Sequence, residues 1–155
     1  MAKLHLKLIT PERTILDEEV VSLTCPTESG EITILPNHAP LVATLTSGEL
    51  IAKSATEKGS EPHFVHVAGG FIEIRPNNEV VILADGAEHF FEIDVARAEE
   101  AKKQAEEIMK NQSMANEEYV IAAWILRKSL SRINIARKHS HRRKAGITSE
   151  GVLTE

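Results

Sequence analysis

From the N-terminus to about residue 92, short apolar runs alternate with polar residues at every second position, the period of strands with one covered face. Leu4, Leu6 and Leu8 alternate with His5 and Lys7, and Val21, Leu23 and Cys25 form the next such face, ended by Pro26. Between them Thr10-Pro11-Glu12-Arg13 predicts a turn, because Pro11 pre-sets φ and has no N–H to donate. Residues 31–35 form a strand closed by Pro36; residues 41–45 and 49–54 follow, parted by a turn at Ser47-Gly48. Residues 56–62 are polar and predict a hairpin loop, and residues 63–68 return as a strand. Gly69-Gly70 predicts another turn, and residues 71–75 and 79–84 flank the hairpin signal Pro76-Asn77-Asn78. Eight or more short strands at this spacing predict a sandwich or flattened barrel.

At Ile93-Asp94-Val95-Ala96-Arg97-Ala98 the period lengthens to three and four residues. Asp94 is placed to cap a helix whose narrow face is Ala98, Ala101, Ala105 and Ile108, with Glu99 and Glu100 near its positive end. Asn111-Gln112-Ser113 breaks the pattern. Asn116 can cap a second helix, with Glu117 and Glu118 in its first turn and an apolar face at Tyr119, Ala122, Ala123, Leu126, Leu130 and Ile133. Gly146 is its expected stop. The short link predicts an antiparallel pair. Alanine-rich faces bury little surface, so the pair should dock weakly and be open to displacement.

Composition adds bounds. A chain of 155 residues, 42% apolar and 26% charged, can bury one modest core plus an appendage. Its longest apolar run, residues 119–126, is far short of the roughly 18 needed to span a bilayer. The alternating N-terminus has no apolar signal block, and a cytosolic protein is expected. A single cysteine, Cys25, excludes an intrachain disulfide and any multi-cysteine metal site.

Charge is unevenly placed. Residues 1–88 carry 6 Lys/Arg against 13 Asp/Glu, residues 89–126 carry 4 against 8, and residues 127–155 carry 8 against 2. An acidic body with a basic terminal arm suggests an acidic partner for that arm, although a solvated helix face would have the same composition.

Catalytic signatures are missing from the sequence: it has no nucleophile elbow, no Walker-type phosphate loop and no dinucleotide fingerprint. His63 and His66 are three apart on a strand and point to opposite faces, and His139 and His141 are about 200° apart around a helix, so no metal site is expected. The basic stretch at residues 137–144 resembles a nucleic-acid patch, but an acidic body and 4% aromatic residues argue against one.

Several segments together resemble the epsilon subunit of F-type ATP synthases. The specific one is Gly30-Glu31-Ile32-Thr33-Ile34-Leu35-Pro36-Asn37-His38-Ala39-Pro40-Leu41; Ala68-Gly69-Gly70-Phe71, Val81-Ile82-Leu83-Ala84-Asp85 and the hexapeptide at Ile93 add to it. The likeness runs from about Leu4 to about Lys138. It implies a ten-stranded β-sandwich at 1–90, a regulatory two-helix hairpin at 91–145 and a disordered tail at 146–155. It also implies a non-catalytic rotor subunit that couples proton flow to ATP synthesis. Its partners would be the gamma subunit, the c-ring and the alpha-beta hexamer, with no nucleic acid. Its location would be the cytoplasmic face of a bacterial plasma membrane, held there indirectly through the complex.

The resemblance also assigns residues. Glu31, Asn37 and His38 match the part of the family sandwich that faces the c-ring, while His38 reads equally as a turn histidine satisfied by backbone groups. Arg127, Lys128, Arg132, Arg137 and Lys138 are the candidates for inhibitory contacts with the hexamer. No cofactor is required, but in some relatives ATP binds as a regulatory ligand, and Ile93, Asp94, Arg97, Ala98, Lys128 and Arg132 match its positions. Lys128 stands for an arginine, which keeps the charge and loses the bidentate fork, and Gln104 stands for another. Helix capping by Asp94 and a carboxylate partner for Arg97 would explain the hexapeptide without nucleotide. Two further classes remain at this level: a stand-alone ATP-sensing module and a basic-tailed nucleic-acid-binding protein.

Overall fold

The computed structural model describes residues 2–55 and 61–141. The chain divides into two compact units, Met1–His89 and Phe90–Glu155. The first unit holds seven strands: β1 Leu4–Ile9, β2 Thr14–Thr27, β3 Gly30–Ile34, β4 Leu41–Ser54, β5 His63–Arg75, β6 Glu79–Ala84 and β7 Ala87–His89. They hydrogen-bond in the order β1-β6-β5-β4-β2-β3, and β1 also pairs with β2. That last pairing closes five strands into a barrel, with β3 continuing from β2 and β7 lying on β5. β1 and β6 run parallel, while the other pairings are antiparallel. Leu4, Leu6, Leu8, Leu23, Leu50, Val65, Ile72, Val80 and Ile82 fill the interior, each fully buried.

The expected ten strands are therefore corrected to seven. β2, β4 and β5 are 13 or 14 residues long and bend without breaking. β2 pairs with β1 through Val20 and with β3 from Leu23 onward. β5 likewise carries β7 against Val65–Val67 and β6 from Gly70 onward. The expected turns at Ser47-Gly48 and Gly69-Gly70 are interior positions of β4 and β5. At Gly48 the Pro26 ring lies where a side chain would go, with Cγ 2.9 Å from an ideal Cβ. Gly70 adopts φ 135°, and a Cβ there would meet the Leu83 carbonyl oxygen. Both glycines mark close backbone approach and not chain reversal.

Pro26 also fails to end its strand, which runs on to Thr27. A register shift between Val20 and Ser22 puts Val20, in place of Val21, on the inner face with Leu23 and Cys25. The Pro76-Asn77-Asn78 hairpin forms, with both asparagines left-handed at φ 66° and 60°.

The second unit begins with a 3-10 turn at Phe90–Glu92, followed by α1 Val95–Asn111 and α2 Glu117–Lys138. Asp94 Oδ1 accepts from the Arg97 N–H at 3.1 Å, and Asn116 Oδ1 from the Glu118 N–H at 3.1 Å. Arg137, near the end of α2, reaches Glu99, near the start of α1, at 2.9 Å, so the helices lie side by side and run in opposite directions. Ala98 and Ala105 are buried on α1, and Ala122, Ser129, Ile133 and Ala136 on α2. Leu130, expected on the covered face, is 38% exposed, because that face is centred on Ser129 instead. Ile93, Ile135 and Ala136 form a small cluster with Phe90 and Val95, and the His139 ring packs 5.5 Å from Phe90. α2 closes at His139; Gly146, the basic residues 142–144 and the tail at 146–155 lie outside the described residues, as do residues 56–60 of the expected loop.

Candidate functional site

The expected ring-facing residues occupy both ends of β3. Glu31 is exposed beside Gly30, opposite Pro26 of β2. Asn37 lies beyond the other end, about 13 Å further along the strand direction at ordinary strand rise. Its φ of 68° is held by a 2.6 Å bond from its N–H to Asn78 Oδ1. His38 donates its amide to the Leu35 carbonyl, and its Nδ1 lies 2.7 Å from the Ala39 carbonyl. A carbonyl only accepts, so Nδ1 carries the proton and Nε2 faces outward as an acceptor. The backbone thus satisfies one nitrogen of His38 and leaves the other for a partner.

A second surface was not anticipated from the sequence. On the outer face of β4, β5, β6 and β1, Thr44, Phe71, Leu83 and Ile9 form one cross-strand row. Val42, Glu73, Val81 and Lys7 form the next. Val42, Phe71 and Leu83 are 69%, 58% and 56% exposed, a clustering that exceeds the scattered apolar residues of an ordinary surface. The signal was present in Val80-Val81-Ile82-Leu83, which is apolar at both parities where a strand with one wet face would alternate.

In the helical unit, Ile93 and Ala98 are fully buried and Asp94 serves as the cap. Arg97 is exposed and makes no ion pair among the described residues. Lys128 lies over the Trp124 ring, 5.4 Å from its centroid, and Arg132 is half-buried. Antiparallel packing with Arg137 at Glu99 sets Arg132 near the level of Gln104, roughly two helical turns from Arg97. An elongated ligand would be needed to touch both.

The five cations proposed for inhibitory contacts do not share a face. At 100° per residue, Arg127 and Lys138 fall within about 20° of exposed Val120, Lys128 and Arg132 lie together on a second face, and Arg137 occupies a third. Exposed Ile121 and Trp124 extend the apolar stripe beside Val120.

Residues 3–90 match the family model for the ATP synthase delta/epsilon chain β-sandwich domain, and residues 92–137 that for its long α-helix domain. The chain is 45% identical over 138 residues to the ATP synthase epsilon chain of Dehalococcoides mccartyi, covering 89% of this chain and 95% of that one. It is 39% identical over 136 residues to the epsilon chain of Halalkalibacterium halodurans, covering 88% and 98%. In fold it is similar to a chain of the mitochondrial ATP synthase of Euglena gracilis, with a TM-score of 0.73 at 24% identity over 84% of this chain and 79% of that one. A chain from the central stalk and c-ring of the Tetrahymena thermophila enzyme gives 0.56 at 16% identity, covering 89% and 98%.

Proposed function

The chain belongs to the ATP synthase epsilon-chain family, the non-catalytic epsilon subunit of F-type enzymes, and from that premise we propose how its two units are used. The barrel docks on the gamma subunit through the face of Val42, Phe71 and Leu83. The exposed apolar rows carry this reading, since covering each of those side chains is worth about 1.5–3 kcal/mol. Glu31 and the Asn37-His38 turn face the c-ring, with His38 Nε2 as the acceptor offered. The assembly lies at the cytoplasmic face of a bacterial plasma membrane and is held there by the complex; among the described residues no helix is long and apolar enough to cross one.

The helical unit is the brake on ATP hydrolysis. Its contacts with the alpha-beta hexamer come from Arg127, Lys128, Arg132, Arg137 and Lys138, and Arg137 must give up Glu99 to serve there. ATP is a regulatory ligand in this reading and not a required cofactor. Exposed Arg97 supports that assignment, together with Lys128 and Arg132 on α2.

The test uses a bacterial F-type ATPase core stripped of its own epsilon subunit. The full chain should bind and inhibit, and a chain ending at Glu92 should bind without inhibiting. Phe71→Ser should weaken both binding activities by roughly tenfold or more, as expected for a central aromatic anchor. Failure of either chain to bind the core would overturn the docking assignment, and inhibition by the shortened chain would remove the brake from the helices.

A further inference from the structure

The β5 register sets His66 between two glutamates. Glu49 of β4 is its cross-strand partner on one side and Glu88 of β7 on the other. Side chains directly opposite across a ladder stand about 5 Å apart at Cβ, so the three form a row on one face. His66 Nδ1 lies 3.7 Å from Glu88 Oε1, and Nε2 lies 3.3 Å from Oγ of Ser47, which shares that face of β4 with Glu49. The imidazole is 1% exposed. Phe64 and Ala68 occupy the flanking rows on the same face of β5. The opposite face carries the other titrating groups: His63 Nε2 lies 2.5 Å from Glu18 Oε1, and the His63 and His89 rings are 6.1 Å apart.

A neutral imidazole donates from one nitrogen, whereas a charged one donates from both. Neutral, the ring separates two carboxylates and offsets neither. Charged, it donates toward Ser47 and Glu88 together and supplies the cation that the row lacks. β7 depends on such help, because only Val65, His66 and Val67 of β5 pair with it. It is also the last strand of the barrel, and the second unit begins at the next residue, Phe90.

We propose that His66 is a proton-operated clamp on β7. Protonation fastens the strand to β5 through Glu88, and loss of the proton loosens it where the chain leaves the barrel for the helices. The device rests on the barrel's own geometry and is independent of the subunit assignment.

The experiment uses the full chain, titrated between about pH 5.5 and 8.5 to bracket the ordinary histidine range. NMR follows the His66 ring, and hydrogen exchange follows the amides of Ala87, Glu88 and His89, corrected for intrinsic pH dependence. Protection of those amides should fall about tenfold, the equivalent of one unit of proton linkage, in step with His66 deprotonation. Amides of residues 71–75 should not follow it. Glu88→Gln and His66→Gln should each flatten the response; should the second fail to fold, the first and the wild-type titration decide. Flat protection in the wild type, or a response that persists in either variant, would overturn the proposal.

Discussion

Cys25 is fully buried on the inner face of β2, and its thiol is pushed from 9.0 up to about 12, chiefly by burial and further by the charge of Glu31. A raised thiol pKa means that the folded chain keeps a proton which the unfolded chain releases. This preference is present below about pH 9 and is lost as pH rises through 12. Stability should therefore fall across that window by up to about 1.4 kcal/mol per pH unit relative to Cys25→Ala, read from urea midpoints of the two proteins. At neutral pH the native thiol should resist a disulfide reagent that labels the unfolded chain at once. The nucleotide positions make a second test at this scale. Isothermal titration of MgATP should show severalfold tighter binding to Lys128→Arg than to the natural chain, because a guanidinium restores the bidentate fork.

Elements were legible where local chemistry decides them. Asp94 and Asn116 cap α1 and α2 as their positions demanded, and the asparagine pair forms the β5–β6 hairpin. Asp94→Ala should cost about 0.5–2 kcal/mol, read as earlier loss of helical circular dichroism on heating. The strands were harder, because a glycine that ends a strand and one that lets a neighbouring backbone pass look identical in sequence. Gly48 and Gly70 are of the second kind, and only their cross-strand neighbours Pro26 and Leu83 distinguish them. Gly70→Ala should destabilise the barrel by about 3 kcal/mol or more, through left-handed strain and collision with the Leu83 carbonyl; a urea unfolding curve would measure it. β7, with three residues, was too short to leave a period, and the Ser129-centred face of α2 was masked by the more apolar Leu130 nearby. Among the candidate site residues, the single sequence pattern could not show that five cations in 12 positions would spread over three helix faces.

For the whole molecule, the separation of charge sets a condition on the proposed brake. Exposed pairs are worth about 0–1 kcal/mol each, so inhibition by the full chain must be collective. Raising salt from about 0.05 to 0.5 M should relieve most of it, while docking through the apolar rows should persist. ATPase assays with parallel sedimentation would separate the two effects. The barrel has a further property, which follows from the parallel ladder between β1 and β6. Force entering at the N-terminus and leaving beyond β6 pulls these two strands along their lengths in opposite senses. Five register pairs, from His5–Glu79 to Ile9–Leu83, then resist together, where a hairpin pulled at its open ends would unzip one rung at a time. The unit is consequently stiff toward drag between its ends, a mechanical asset for any part that must turn against load.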